Sequence, residues 1–150
     1  MNAKIITKPA FVVVGIRLRA AAKSPEIAQL WDRFVPRMAE LSTSPEPYVS
    51  YGLMDNFDAG AMDYMAGNPV IDADTAAIPE GMARWDVPSN TYAVFDSTLP
   101  SIGADFDKIF GEWLPQSGYQ LAKGAYFERY PETFSPATPG LEIWLPIVVN

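Results

Sequence analysis

Apolar and polar residues alternate along several short stretches of the chain, whereas two other stretches carry apolar residues at helical spacing. The alternation predicts strands at 11–19, 48–54, 62–70, 92–97, 125–130 and 141–149, with a loop at 55–60, and the helical spacing predicts helices at 24–41 and 106–114. Ser24 is the predicted N-cap of the first helix, since Pro25 can occupy the first helical position. Pro36 lies inside this helix and is expected to kink it, because proline lacks the backbone donor.

The same order of elements occurs twice. A shift of 79 residues lays 11–70 on 90–149 without a gap, and apolar positions then meet apolar positions. Each half reads β-α-β-β and is too short to cover its own sheet, which predicts one pseudo-two-fold α+β domain with a shared core, an antiparallel-rich sheet and two main helices. The single domain is expected to span 1–150, with halves at about 5–70 and 85–149 and a linker at about 71–84. The seam between two such halves is a natural place for a pocket.

Composition excludes several classes of chemistry. The chain has neither cysteine nor histidine, so acid–base chemistry must come from carboxylates, tyrosine or lysine, and no metal site or cofactor is predicted. The net charge is −7 and the basic residues are scattered, so direct nucleic-acid binding is not expected, and organic cations are favoured over anions. No apolar run approaches membrane-spanning length and no signal peptide is evident, which predicts a cytoplasmic location and no membrane partner.

A carboxylate lies between two phenols on one face of the strand at 125–130. Strand alternation places Tyr126, Glu128 and Tyr130 on one side, and Phe127 and Arg129 on the other. Aromatic faces beside a carboxylate are a plausible receptor for a cation. The alternative is an exposed strand face on which Glu128 pairs with a neighbouring lysine or arginine.

A second candidate group lies on the last strand, where Glu142 and Trp144 share a face. If this strand pairs with 125–130, Glu142 is expected to come near Glu128, and two carboxylates in an aromatic pocket would form an acid–base pair. The alternative is a single solvated glutamate on an edge strand. Three further aromatic residues are candidates to complete the pocket: Tyr51, Tyr64 and Trp85. Two other tryptophans lie in the helical stripes and are expected in the core: Trp31 and Trp113.

Three segments together resemble the GyrI-like small-molecule-binding domain: the run 85–95, the strand Tyr-Phe-Glu-Arg-Tyr at 126–130, and the closing Leu-Glu-Ile-Trp-Leu-Pro-Ile at 141–147. This is the effector-binding domain of some AraC-type and MerR-type transcription regulators, including multidrug sensors. The resemblance implies two SH2-like motifs with a central cleft. It also implies that Glu128 is the buried glutamate that binds lipophilic cations, with Tyr126 and Tyr130 beside it, and that Glu142 and Trp144 line the pocket from the last strand.

Three functions therefore stand as hypotheses. The first is binding of a lipophilic, cationic or aromatic small molecule by a free-standing sensor or drug-sequestering protein, since the β-α-β-β unit begins by residue 5–11 and no helix-turn-helix precedes it. The second is hydrolysis of reactive, cyclopropane-bearing molecules by Glu128 and Glu142, as the resemblance implies for some members. The third, from the same resemblance, is inhibition of DNA gyrase through a protein partner.

Overall fold

The computed structural model describes residues 1–41, 44–71 and 77–149. Within these residues nine strands form: β1 Lys4–Lys8, β2 Phe11–Ala21, β3 Ser50–Asp58, β4 Ala61–Val70, β5 Ala83–Val87, β6 Asn90–Thr98, β7 Tyr119–Leu121, β8 Tyr126–Tyr130 and β9 Gly140–Val149. The helical segments are α1 Pro25–Phe34 with a following 3-10 helix Val35–Glu40, and α2 Ile102–Lys108, which continues through a π-helical stretch Ile109–Trp113 into the short α3 Leu114–Gln116.

The strands form an antiparallel sheet whose order shows the duplication. The order is β1-β6-β9-β8-β3-β4-β2-β5, and β7 pairs with the end of β9. The 79-residue shift relates β1 to β5 and β4 to β9. When each strand is replaced by its counterpart in the other half, the same strand order is obtained from the opposite end of the sheet. The pseudo-two-fold axis therefore passes between β3 and β8. The outermost strands are exchanged, because β1 pairs with β6 of the second half and β5 pairs with β2 of the first.

Several predicted boundaries change in the structure. The expected loop at 55–60 is mostly strand, because β3 extends to Asp58 and only Ala59 and Gly60, both at positive φ, make the turn. The pairing of β3 with β4 is irregular between Asp55 and Asp58, which is a β-bulge that the alternation did not predict. Strand β5 occupies part of the expected linker, and β7 was not predicted; residues 72–76 of that linker lie outside the described residues.

The first helix begins as predicted and ends earlier than predicted. The Ser24 side chain accepts a hydrogen bond from the Glu26 backbone N–H at 3.2 Å, so serine is the N-cap. The α-helix ends at Phe34, and the chain continues as a 3-10 helix with Pro36 in its first turn. Proline therefore changes the type of helix instead of only bending it.

The two faces of the sheet bury different clusters, and the helices cover one of them. Along β8, for example, Tyr126 packs toward the helices while Phe127 lies in the opposite cluster. Helix α1 buries Leu30 and Phe34 on the helical face. The opposite face is closed by its own aromatic residues: Tyr51, Trp85, Tyr92, Phe127 and Trp144.

A candidate ligand-binding cavity

A cavity of about 450 Å³ lies between the helices and the middle of the sheet. Helix α1 and strands β3 and β4 border it on one side, and α2 and β8 border it on the other, so both predicted halves contribute. Most of its wall is apolar, with Ile27, Met54, Met62 and Phe106 among the lining residues. The volume is within the range of roughly 300–1,000 Å³ that small-molecule sites usually have.

Glu128 is the half-buried acidic group in this wall. Its Oε1 atom accepts hydrogen bonds from the hydroxyls of Tyr64 and Tyr130, each at 2.9 Å. Burial raises the pKa of this carboxyl to about 7, although both phenol hydrogen bonds act to lower it. No lysine or arginine of the described residues forms an ion pair with it. The carboxylate is thus held by neutral donors alone.

The direction of these hydrogen bonds follows from Trp31. Its indole Nε1–H donates to the Tyr64 hydroxyl at 2.9 Å, so the single hydroxyl hydrogen of Tyr64 is directed to Glu128. Burial raises the pKa of Tyr64 and of Tyr130 well above the ordinary phenol value, and both remain neutral donors. Trp31 packs against the core cluster on the helical face, as expected, and it also lines the cavity, which the helical stripe did not predict.

Gly52 makes this arrangement possible and was not singled out in the sequence. It lies on β3 directly opposite Glu128. A Cβ atom at Gly52 would come within 2.2 Å of the Tyr64 hydroxyl oxygen and 2.6 Å of Glu128 Oε1. The tyrosine and the glutamate therefore meet over the bare backbone of the glycine. A glycine inside an otherwise apolar strand is the signal that could have indicated such a close approach.

Aromatic rings line the outer part of the cavity. Phe57, in the bulged part of β3, stacks on Tyr126 with ring centroids 4.9 Å apart, and Phe110 of the π-helical stretch lies 5.7 Å from Tyr126. Deeper in, the ring of Trp31 contacts that of Tyr130 edge to face at 5.1 Å. A flat or multi-ring ligand would find aromatic surfaces both beside Glu128 and nearer the solvent.

Glu142 and Trp144 do not line this cavity, contrary to the expectation from the last strand. Arg129, not Glu128, is the cross-strand partner of Glu142, so Glu142 lies on the other face of the sheet. There its Oε1 atom accepts hydrogen bonds from Arg129 at 3.5 Å and from the Trp144 indole at 3.1 Å. The predicted pairing of β8 with β9 is present, but the register separates the two carboxylates. The acid–base pair proposed for a hydrolase therefore lacks its geometry.

Tyr51 and Trp85 also lie on the face opposite the cavity. Tyr51 pairs with Arg129 and donates its hydroxyl hydrogen to Glu46 at 2.7 Å, while Trp85 pairs with Val13 in the same cluster. Four of the predicted ligand-binding residues do line the cavity: Tyr64, Tyr126, Glu128 and Tyr130.

Two findings concern other kinds of site. Among the described residues, no group of three or more acidic side chains is arranged to hold a metal ion. None of the helices in the described ranges is both long and apolar enough to cross a membrane.

The family that the chain matches is one of effector-binding domains. More particularly, the chain belongs to the Cass2 family of integron-associated effector-binding proteins, which it matches over residues 4–147. The GyrI-like resemblance and the α+β fold predicted from the sequence are thereby confirmed.

Individual relatives agree with this assignment. The chain is 37% identical over 152 residues to the transcriptional regulator BrlR of Pseudomonas aeruginosa, covering 98% of this chain and 56% of BrlR, so it spans about half the length of that curated relative. SAV2435, in a structure bound to tetraphenylphosphonium, has a TM-score of 0.77 and 19% identity, covering 99% of this chain and 94% of SAV2435. The integron cassette protein VCH_CASS2 of Vibrio cholerae has a TM-score of 0.69 and 21% identity, and the match covers 98% of this chain and 96% of the VCH_CASS2 chain. At these identities the two structures show a shared fold.

Proposed function

We propose that the protein binds a lipophilic organic cation in the cavity, with the carboxylate of Glu128 as its counter-charge. The observation that carries this proposal is a half-buried carboxylate, set in an apolar cavity wall, without a cationic partner among the described residues. An unpaired buried charge is costly to a fold, and a bound cation would offset that cost. A cation that is itself lipophilic would leave water for this cavity with little penalty.

The surroundings of Glu128 support a cation over an anion. The rings of Trp31 and Tyr130 lie beside the carboxylate and offer electron-rich faces to a positive charge. The cationic residue at the cavity wall is Lys23, and its ammonium pairs with Asp107 of α2 at 3.2 Å. That tetraphenylphosphonium is the ligand in the SAV2435 structure is consistent with such a ligand for this related fold.

The relatives favour one role for such binding. The similarity to BrlR, a transcriptional regulator, favours a sensor whose output depends on the occupied cavity, and a drug-sequestering protein would use the same site. Both roles need the same first step, which is reversible binding beside Glu128.

Titration with tetraphenylphosphonium tests the proposal. Of the four tryptophans, Trp31 lines the cavity, so its fluorescence should report occupancy. We expect saturable quenching in the wild type and a loss of affinity of at least about thirtyfold in Glu128→Gln, because truncating one member of a desolvated charge pair costs about 2 kcal/mol or more. Glu132→Gln is the matched control, since Glu132 is exposed four positions further along the chain and should leave the affinity unchanged.

Tetraphenylborate supplies the second control. It has nearly the same shape as tetraphenylphosphonium and the opposite charge. The proposal predicts that the borate binds far more weakly at pH 8 than the phosphonium. Equal binding of the two ions, or an unchanged phosphonium affinity in Glu128→Gln, would show that shape and not the carboxylate selects the ligand.

A further inference from the structure

The two oxygens of the Glu128 carboxyl group differ in their surroundings. Oε1 accepts from both Tyr64 and Tyr130, whereas Oε2 accepts no hydrogen bond from the residues that the structure describes. Among those residues, every fully buried side-chain nitrogen or oxygen has a hydrogen-bond partner. Because Oε2 has none, it must border accessible space, and the space beside Glu128 is the cavity. Oε2 is therefore the atom that the carboxyl group offers to a ligand.

The same geometry determines where a proton would be carried. Tyr64 accepts from the Trp31 indole and directs its one hydroxyl hydrogen to Oε1, and the Tyr130 hydroxyl is directed to that atom as well. With two donors already aimed at Oε1, the proton of a neutral Glu128 belongs on Oε2. The protonated side chain would then present a single O–H donor to an apolar, aromatic cavity.

We infer that the cavity also takes neutral lipophilic molecules that carry a strong hydrogen-bond acceptor, held by the O–H that Glu128 presents on Oε2. This inference rests on the proposed function, because it assigns a second class of ligand to the same site. A cation would select the carboxylate and a neutral acceptor would select the carboxylic acid. The pKa of about 7 supports both modes, since both forms of Glu128 are then populated near neutral pH.

The other titratable groups around the cavity do not produce this pH dependence. The pKa values of Tyr64, Tyr126 and Tyr130 on the strands are all raised, so these side chains stay neutral between pH 5.5 and 8.5. Lys23, just before α1, and Asp107 on α2 pair with each other, and both are well exposed, with accessible side-chain fractions of 63% and 71%. A change in ligand preference near pH 7 would thus report on Glu128.

Triphenylphosphine oxide and tetraphenylphosphonium are suitable probes, because both present phenyl rings around phosphorus while one is a neutral acceptor and the other a permanent cation. Neither probe titrates between pH 5.5 and 8.5, so any pH dependence belongs to the protein. On lowering the pH from 8.5 to 5.5, we expect the phosphonium affinity to fall about thirtyfold, because the ionised fraction of Glu128 falls roughly tenfold per pH unit below pH 7. Over the same range the phosphine oxide affinity should rise about thirtyfold, because the protonated fraction is small above pH 7 and changes there by roughly tenfold per pH unit.

Glu128→Gln should separate the two modes. Its amide oxygen can accept from both tyrosines while its NH₂ group donates into the cavity, as the protonated glutamate would. We expect this variant to bind triphenylphosphine oxide within about threefold of the wild type at pH 5.5, to bind it equally at pH 8.5, and to bind the phosphonium poorly at both. Glu132→Gln should retain the full pH dependence of the wild type.

The outcomes distinguish the inference from the proposed function. If the phosphonium binds at pH 8.5 but triphenylphosphine oxide does not bind at pH 5.5, or binds with no pH dependence, this inference is wrong and the proposed function stands. If only the phosphine oxide binds, with the predicted pH dependence, the cavity is a site for neutral ligands and the proposed function is wrong. If neither probe binds, both are wrong.

Discussion

Glu128 is held by two tyrosines that come from strands on opposite sides of the sheet centre. Tyr130 shares its strand, while Tyr64 reaches across β3 from β4. This reach requires the absence of a side chain at Gly52, which lies beneath the hydrogen bond. At the residue scale the site therefore depends on one glycine as much as on its three polar side chains.

Gly52→Ala tests this dependence. The new methyl group would overlap Tyr64 and Glu128, and backbone shifts of this kind cost about 1–3 kcal/mol of unfolding free energy. We expect that loss in urea unfolding, together with at least a tenfold weaker phosphonium affinity. Gly140→Ala is the control, because a Cβ atom there meets nothing within 4 Å. Unchanged stability and affinity in Gly52→Ala would contradict the geometry described for this site.

The carboxyl group of Glu128 should also make stability depend on pH. Its pKa is 4.5 ordinarily and about 7 in the fold, so the folded state holds more protons than the unfolded state between these values. The unfolding free energy of the wild type should therefore fall as the pH rises from 4.5 to 7, and level off above. Relative to wild type, Glu128→Gln should gain on the order of 3 kcal/mol between pH 4.5 and 8. A difference that stays constant with pH, in urea unfolding of both proteins, would count against the shifted pKa.

Strand alternation was sufficient to place Tyr126, Glu128 and Tyr130 on one face, because a period of two holds along any regular strand. It was not sufficient for Glu142. Alternation gives the phase within each strand, but only the register between β8 and β9 decides which residues share a face. Since Arg129 pairs with Glu142, the glutamate is turned away from the cavity.

At the scale of elements, the beginning of α1 brings its apolar stripe to the cavity. Ser24 caps this helix and also lies at the cavity wall, while Trp31 lies two turns further along. The capping residue and its proline were predictable from the sequence because these signals are local. The bulge of β3 at Phe57 was not predictable, since it depends on how β3 pairs with β4.

Ser24→Ala should lower the unfolding free energy by about 1 kcal/mol, because the N–H of Glu26 loses its acceptor. Ser24→Thr keeps a hydroxyl and should recover most of this loss. Chemical denaturation of the three proteins measures the difference. An alanine variant as stable as the wild type would show that this cap contributes little to α1.

At the scale of the whole molecule, the duplication produced two similar halves, but the carboxylate held by the two tyrosines comes from the second half alone. Glu128 of the second half faces Gly52 of the first across the pseudo-two-fold axis. The repeat and the fold class were predictable, because apolar positions coincide along the chain. The exchange of β1 and β5 between the halves was not predictable, because the residue pattern of a strand does not determine which strand it pairs with.

Glu142 lies on the face of the sheet opposite the cavity, so its substitution should not affect ligand binding. Glu142 is bonded to Arg129 and Trp144 on the face opposite the cavity. Glu142→Gln should therefore leave the phosphonium affinity within about twofold of wild type, as expected for sites that share no partner. Titration of this variant beside Glu128→Gln checks the assignment. A loss in Glu142→Gln as large as that in Glu128→Gln would restore the paired-carboxylate hypothesis.

The most direct measurement is the titration of Glu128 itself, with and without a bound cation. Carboxyl-labelled glutamate, followed by carbon NMR over pH 4 to 9, resolves the individual side chains, and Glu128→Gln identifies the signal. We expect one glutamate with a pKa of about 7 in the unliganded protein. Saturating tetraphenylphosphonium should move that pKa down by at least one unit, because the cation stabilises the carboxylate. A Glu128 signal that titrates at its ordinary value, or that the cation leaves unmoved, would contradict the claim that this carboxylate is the cation receptor.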